Sequence, residues 1–402
     1  MKNVLPFITQ SIPPIPAQIK AKPEDFIVDE IPSYLPVGTG EHTYIQIQKE
    51  QITTHEVIRS FCSSFGIKES EVGFAGLKDA QAVSRQWFSF RLLDEEKLAR
   101  FTHPKIKILN QSRHKNKLRI GHLKGNQFEI LLRGINEEDI PKVEAVLKTL
   151  KEKGIPNYFG EQRFGQRLNN HWIGKALFQK DYAKAISYLL GDIEKCSKED
   201  NTYQARQFFE AGDYEKALNY WPHMYRLERK LLFDYIRLKE NLEDVIFSLP
   251  RKMKFFYLSA YQSYLFNLCL SKRMNQMGTL YKGDVAAKYI NNAQFDVEDA
   301  DQEQPRLDDF EISATGPLFG PIMKQPSGYP QTIEEEVLAS EGVSRELFNS
   351  PFSKLKLSGD RRSYRIPLKE VAISPKKEGV LLSFFLPKGC YATIVLREIT
   401  KV

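Results

Sequence analysis

The alternation of apolar and polar residues near the start of the chain predicts two β-strands, over residues 26–28 and 43–47. A helix is predicted to follow, because Thr53 or Thr54 can cap its first turn and Gly66 stands where its apolar pattern ends. These elements begin a portion in which strands outnumber helices.

Residues 72–75 and 85–92 predict the next pair of strands. Gly76 allows the chain to turn after the first strand, since glycine lacks the side chain that would obstruct a tight turn. Asp79 lies in the connection between the two strands. A connection supported on both sides is a place where catalytic groups are held in position.

The pattern continues with strands and one long helix as far as residue 153. Strands are predicted over residues 106–109, 118–123 and 128–132, and an amphipathic helix over residues 137–153. Together with the preceding elements, these segments predict an α+β sheet domain.

From about residue 167 the apolar spacing becomes helical. Residues 181–185 recur in similar form at residues 213–217, and two copies predict two similar helices rather than a solenoid, which needs about three stacked repeats. Residues 255–270 are apolar on nearly every face, so they predict a central helix of this helical portion.

The last hundred residues begin with an acidic segment and return to strand patterns. The acidic residues of 295–311 lack the regular spacing of a calcium loop and predict a solvated loop. Strands are predicted over residues 363–367, 380–385 and 393–396. Strands at both ends with helices between them predict an inserted domain, after which the chain rejoins the first sheet.

Composition narrows the class of protein. The length of 402 residues suggests two or three domains. Hydrophobic residues make up 42% of the chain and aromatic residues 12%, and these shares argue against disorder. No apolar run approaches the ~18 residues of a membrane span, and the first residues lack the pattern of a secretory signal, so we expect a cytoplasmic protein. Four distant cysteines and seven histidines show no metal-ligand spacing, which predicts reduced thiols and no metal site.

Charge is informative through its distribution. The net charge of +7 is only mildly basic, but residues 103–125 contain seven lysines and arginines and no acidic residue. Such a run is typical either of a solvated lysine-rich surface or of a track for nucleic-acid phosphates.

Asp79 alone admits two other interpretations. Its side chain could cap a turn, which is the commonest use of an aspartate beside glycine. The glycines and Lys78 also faintly match a phosphate-binding loop, but the spacing is too short and no serine or threonine follows the lysine.

The interpretation of Asp79 also depends on segments that lie far apart in the chain. Residues 73–88 closely resemble the motif of the TruD family of tRNA pseudouridine synthases that contains the catalytic aspartate. Further segments are similar to the family's other motifs in the same order: residues 19–30, 40–42, 125–128, 157–165, 315–320 and 391–398.

The resemblance implies a pseudouridine-synthase core interrupted by a second module. The implied fold is α+β, with a mixed or antiparallel sheet and flanking helices, interrupted by a largely helical α/β TRUD domain. The implied divisions are residues 1–157 for the first part of the catalytic core, 158–345 for the inserted domain, and 346–402 for the C-terminal part of the core. The implied activity is isomerisation of uridine 13 in the D arm of tRNA, with no cofactor, no protein partner and no membrane.

Residue roles follow from the same resemblance. Asp79 is the expected nucleophile and Lys20 its expected charge partner, although Lys78 is adjacent in sequence. Four residues are expected to bind the target uridine, three as aromatic rings and one through an amide: Phe26, Phe128, Tyr391 and Asn126. Core packing for the rings and a turn for the amide are the alternatives. Candidates to contact the RNA backbone are Lys78, Arg85, Lys115 and Lys117.

These residue types suit the chemistry. An aspartate with an ordinary pKa of about 3.9 is ionised at neutral pH without an activating base. A neighbouring cation keeps it ionised when water is expelled.

Two other classes of protein are alternatives: an RNA-binding protein without catalysis, which would not need Asp79, and a methyltransferase. The latter is disfavoured because the Gly-x-Gly of residues 38–40 lies in a polar loop.

Overall fold

The structure, a computed structural model, describes residues 5–238, 241–349, 355 and 357–402. Within these residues fourteen strands are found: β1 (Phe26–Pro32), β2 (His42–Lys49), β3 (Gly73–Phe74), β4 (Val83–Arg91), β5 (Ile106–His114), β6 (Leu123–Arg133), β7 (Ile155–Pro156), β8 (Val285–Lys288), β9 (Gln294–Asp296), β10 (Ile312–Leu318), β11 (Asp360–Ser363), β12 (Arg365–Ile366), β13 (Lys369–Lys376) and β14 (Gly379–Pro387).

The same residues contain thirteen α-helices: α1 (Thr54–Phe65), α2 (Glu95–Ala99), α3 (Ile140–Lys153), α4 (Asn170–Phe178), α5 (Tyr182–Leu190), α6 (Tyr203–Glu210), α7 (Tyr214–Tyr220), α8 (Arg226–Leu238), α9 (Leu242–Phe247), α10 (Arg251–Arg273), α11 (Ala300–Asp308), α12 (Tyr329–Ser340) and α13 (Ala392–Thr400).

The chain divides into two units. Residues 7–155 and 366–402 form one, here called the sheet unit, and residues 156–365 with the described residues 5–6 form the other, the helical unit. The chain therefore passes from one unit to the other after Ile155 and returns after Arg365. The domain division at 157/158 and 345/346 stays a prediction, because compactness does not test whether each part is a domain.

The sheet unit is built on one mixed sheet. Its strand order is β13-β14-β6-β1-β4-β2-β5, with β3 added to β4. β1 and β4 run parallel at the centre, and every other neighbouring pair in this sheet is antiparallel. β14 thus pairs with β6 from the first half, and β13 adds to the outer edge of β14, which agrees with the prediction that the C-terminal segment rejoins the first sheet.

The first helix forms where its end signals predict. The Thr53 side chain accepts a hydrogen bond from the main chain of Glu56, whose carboxylate in turn accepts from the Thr53 main chain. Gly66 ends the helix in the left-handed conformation, with φ of 70°. The buried face of α1 packs on one face of the sheet, in a cluster that includes Phe61, Phe65, Ile45, Ile47, Phe88 and Phe90. Each such side chain stabilises the fold by about 1.5–3 kcal/mol on burial.

Three predicted elements are wrong. Residues 118–122 form a loop, and β6 starts only at Leu123. Residues 393–396 lie within helix α13, in which Ile394, Val395 and Ile399 are buried. The acidic segment contains most of β9 and the whole of α11, and α11 is capped by Asp299, whose side chain accepts hydrogen bonds from the main chain of Asp301 and Gln302.

The helical unit surrounds α10, which is buried along most of its length. The repeated residues Asp181 and Asp213 cap α5 and α7 respectively. Each side chain accepts a hydrogen bond from the main chain of the third residue after it. A four-stranded sheet of order β11-β10-β8-β9 completes the unit. Among the helices that the structure describes, none is both long enough and apolar enough to cross a membrane.

Candidate active site

The loop that carries Asp79 runs from residue 75 to residue 82, between β3 and β4. Hydrogen bonds hold it at successive positions. The Gly121 main chain donates to the Ala75 carbonyl at 2.8 Å, and the Lys78 main chain donates to Thr54 Oγ1 at 2.9 Å. Lys49 Nζ donates to the carbonyl of Asp79 at 2.7 Å. The main chain around Asp79 is therefore fixed from three parts of the sheet unit.

The Asp79 carboxylate pairs with Lys20. Lys20 Nζ lies 2.5 Å from Asp79 Oδ2, and the Gln81 main chain donates to Oδ1 at 3.1 Å. The Lys20 ammonium also lies 4.5 Å from the centre of the Phe26 ring, in cation–π contact. Lys20 has a φ of 57°, a left-handed conformation that non-glycine residues rarely adopt outside constrained sites.

Opposing effects set the charge of Asp79. Burial alone would raise the pKa of its carboxyl, but the hydrogen bond from Lys20, the Gln81 main chain and the Lys20 charge outweigh it. The pKa of Asp79 therefore lies below its ordinary value, and the carboxylate is ionised at neutral pH. About 31% of the Asp79 side chain remains exposed, so it is accessible from the surface of the protein.

Lys78 is buried beside Glu30. Its side chain is 6% exposed and pairs with Glu30, itself 1% exposed, at 3.1 Å. Lys78 Nζ also donates to Asn126 Oδ1 at 2.6 Å. The Lys78 ammonium is therefore buried and engaged inside the protein, and its contact with the RNA backbone stays a prediction that would require it to leave these partners. Lys20, and not Lys78, is the charge partner of Asp79.

Asn126 lies on the sheet beside these charges. It pairs in register with Glu30 of β1 and Leu386 of β14, and it is half-buried. Because Lys78 donates to its amide oxygen, its amide nitrogen is turned away from that ammonium. The preceding Gly125 is required by space: a Cβ there would lie 2.1 Å from the Leu386 carbonyl oxygen.

The predicted aromatic residues are distributed between the core and its edge. Phe26 and Phe128 are buried and meet edge to face at 6.1 Å, and Phe128 stacks on Phe384 at 5.5 Å. Both rings thus pack in the core, and their contact with a uracil stays a prediction. Tyr391 is half-buried at the start of α13, a few residues beyond the end of β14 that pairs with Gly125.

The remaining candidates for RNA contact lie nearer the surface. Arg85 is half-buried and pairs with Asp29 at 2.9 Å. Lys115 is exposed, and Lys117 is half-buried with its ammonium donating to the carbonyl of Ser70. Lys115 and Lys117 remain predicted phosphate contacts, and Arg85 would have to exchange Asp29 for a phosphate.

Two charged residues at the site were not predicted. Glu30 was detectable, because it alternates with Phe26 and Val28 and therefore shares their buried face. Lys49 also alternates with the buried Ile45 and Ile47, but a lysine at the end of a strand is ordinarily exposed, so the alternation alone did not indicate its burial. Within the described part of the chain, no group of three or more histidine, cysteine, aspartate or glutamate side chains is arranged to hold a metal ion.

Comparison with known proteins identifies the family of this chain. The family model for tRNA pseudouridine synthase D (TruD) matches residues 4–399. The chain is 41% identical over 396 residues to the tRNA pseudouridine synthase D of Geotalea daltonii, covering 98% of this chain and 99% of that protein. It is 36% identical over 400 residues to the same enzyme of Thermus thermophilus, covering 99% and 92%.

A solved structure shows the same fold. The crystal structure of a Methanosarcina mazei protein assigned as tRNA pseudouridine synthase D superimposes with a TM-score of 0.81 at 28% identity, covering 99% of this chain and 97% of the other. The α+β fold with a mixed sheet is confirmed by this similarity. The family match extends over nearly the whole chain, and the relatives are aligned almost end to end. The chain therefore belongs to the TruD family of tRNA pseudouridine synthases.

Proposed function

We propose that this chain converts uridine 13 in the D arm of tRNA into pseudouridine in the cytoplasm, and that Asp79 supplies the carboxylate that starts the reaction. The observation that carries the proposal is the ion pair of Asp79 with Lys20 on a loop whose main chain is fixed at several positions. Membership of the family supports the reaction, and the usual bacterial target of the family supports position 13.

The reaction is an isomerisation. The N1–C1′ bond of uridine breaks, the uracil turns, and a C5–C1′ bond forms while the hydrogen of C5 is released and N1 gains a proton. No electron is gained or lost overall and no external group is transferred. The protein must supply a carboxylate, a pocket for the detached uracil, and protection from water.

The ion pair suits the first requirement. Lys20 keeps the partly buried carboxylate charged, and the hydrogen bond from the Gln81 main chain orients the other oxygen. An oriented and ionised carboxylate needs no activating base when a substrate arrives. Lys20 in turn is held over the Phe26 ring, so its position does not depend on Asp79 alone.

The target base must leave its stack to reach Asp79, which costs a few kcal/mol. Aromatic rings can return about 1–3 kcal/mol for each base stacked. Tyr391 is the half-buried member of the predicted set, and Phe26 and Phe128 are more deeply placed. Asn126 adds an amide that can donate to the edge of the uracil while Lys78 holds its oxygen.

The test of the catalytic role is Asp79→Asn, which keeps the size of the side chain and removes its charge. Tritium released from [5-³H]uridine-labelled tRNA measures turnover, and we expect release to fall to the background of the assay while tRNA binding persists. Asp94→Asn is the matched control, because Asp94 is an exposed residue of the same unit. Turnover near that of the unaltered protein would exclude Asp79 from the role.

The target position needs a separate test. Pseudouridine is mapped by carbodiimide labelling and primer extension in tRNA transcripts that carry either uridine or cytidine at position 13. We expect a new stop at position 13 in the uridine transcript alone. Pseudouridine at another position would keep the activity and overturn the assigned site, whereas binding without any pseudouridine would favour a non-catalytic RNA-binding protein.

A further inference from the structure

Lys49 is buried beneath the Asp79 loop. It is the last residue of β2, in register with Ser84 of β4 and Ile106 of β5. Its side chain lies on the same face as Ile45 and Ile47, which belong to the core, and the residue is 0% exposed. Complete burial of a lysine is rare because its charge loses hydration, so a specific set of contacts must compensate.

Those contacts are main-chain carbonyls. Lys49 Nζ donates to the carbonyl of Asp79 at 2.7 Å and to the carbonyl of Ile52 at 2.8 Å. Among the residues that the structure describes, no carboxylate lies within ion-pair distance of Lys49. The ammonium therefore joins the loop of Asp79 to the connection between β2 and α1, and it does so at Asp79 itself.

The charged groups around Lys49 come from two elements. Burial lowers the pKa of Lys49 to about 8, the negative charges of Asp79 and of Glu56 on α1 oppose this change, and the positive charge of Lys78 adds to it. A neutral amine still has two N–H donors, but hydrogen bonds from an ammonium are roughly twice as strong. Loss of the proton would therefore weaken both carbonyl contacts together.

We infer that Lys49 is a positioning residue for the isomerisation, and that its two carbonyl contacts fix the main chain of Asp79 so that the carboxylate stays paired with Lys20. This inference depends on the proposed function for its link to catalysis. The tie between β2 and the loop is independent of it. Lys49 acts through Asp79, so loss of the tie lowers turnover without removing the tRNA-binding surface.

The experiment compares Lys49→Met, which keeps the length but lacks charge and donors, with Lys49→Arg, which stays charged throughout the accessible pH range. In the unaltered protein, kcat should decline as the pH rises through about 8. Lys49→Met should lower kcat by about 100-fold at neutral pH, since small misplacements of catalytic groups have effects of that size. Its KM for tRNA should change less than about threefold, because the loop and not the phosphate-binding surface is altered.

The pH profile separates positioning from a merely structural role. Lys49→Arg should recover part of kcat and should show no decline near pH 8. Lys49→Met should also show no decline near pH 8, but its kcat should be low at every pH. Ionisation of the RNA bases affects all forms alike and cancels in the comparison. Lys254→Met is the matched control, because Lys254 is also a buried lysine that donates to a main-chain carbonyl, that of Phe247, but lies in the helical unit.

Amide hydrogen exchange gives a measurement that needs no activity. Lys49→Met should speed exchange in residues 75–82 while β6 and β14 keep their protection, and Lys254→Met should not. Unchanged loop exchange, an unchanged kcat, or a decline near pH 8 that persists in both Lys49 variants would overturn the inference. If the unaltered protein forms no pseudouridine, the proposed function fails, and the exchange result alone still decides whether Lys49 holds the loop.

Discussion

Removing Glu30 should open the centre of the mixed sheet in the sheet unit. The Glu30 and Lys78 side chains are almost inaccessible, and their charged groups lie 3.1 Å apart. Glu30 also accepts a hydrogen bond from the Trp87 main chain at 3.3 Å. In Glu30→Ala the Lys78 ammonium stays buried without this counter-charge, and breaking a buried pair from one side costs about 3–5 kcal/mol. Local opening should then increase by roughly two to four orders of magnitude.

Native-state hydrogen exchange measured by mass spectrometry is the suitable assay. A single unfolding midpoint would combine the two units of the chain, whereas exchange in peptides from β1 and β4 reports the opening free energy of this region. Glu41→Ala is the matched control, since Glu41 pairs with Arg91 on the same sheet but both side chains are exposed. Exposed pairs contribute about 0–1 kcal/mol.

A double variant tests the physical reason. Glu30→Ala combined with Lys78→Met removes both charges, and we expect it to recover most of the lost protection because no unpaired ion remains. If Glu30→Ala behaves like Glu41→Ala, the pair contributes no more than a surface contact. If the double variant is less protected than Glu30→Ala, the cost does not come from an isolated buried charge.

Two further predictions concern catalysis and RNA binding. Lys20→Met removes the hydrogen bond and the charge that lower the pKa of Asp79, while burial still raises it, so the acid limb of kcat/KM should move to higher pH. Lys22→Met is the control, because Lys22 is exposed and its loss should leave the acid limb in place. An unmoved acid limb in Lys20→Met would contradict the role of the ion pair. Replacing Lys115 and Lys117 by alanine should weaken tRNA binding and reduce the slope of log K against log salt by about 1.5, and an unchanged slope would remove both from the interface.

Local signals predicted the elements that hold Asp79. The alternation in β1 and β2, the capping of α1 by Thr53 and its end at Gly66 all depend on neighbouring residues in the chain. Lys20 could be assigned through family resemblance alone, because nothing in its local sequence indicates a contact with a residue 59 positions away. The geometry of this pair depends on the fold of the whole sheet unit.

The errors have a common physical origin. Residues 393–396 form a short run of Thr, Ile, Val and Leu, mostly β-branched and mostly apolar, and such a run does not distinguish a buried strand from a buried helix. Helix α13 forms because Ile394, Val395 and Ile399 are all buried in the folded unit. The ion pair of Lys78 with Glu30 was not predictable for a similar reason, since Lys78 is buried by strands that are remote from it in sequence.

The order in which the strands of the mixed sheet in the sheet unit are synthesised has a consequence for how the protein is made. β6 is complete by Arg133, but its partner β14 starts only at Gly379, after the whole helical unit has been translated. On the ribosome, the nascent β6 must therefore wait with an unpaired edge, the kind of edge at which chains aggregate. A stop codon within β14 would leave the Asp79 loop encoded in full, yet on a sheet whose exposed border never closes.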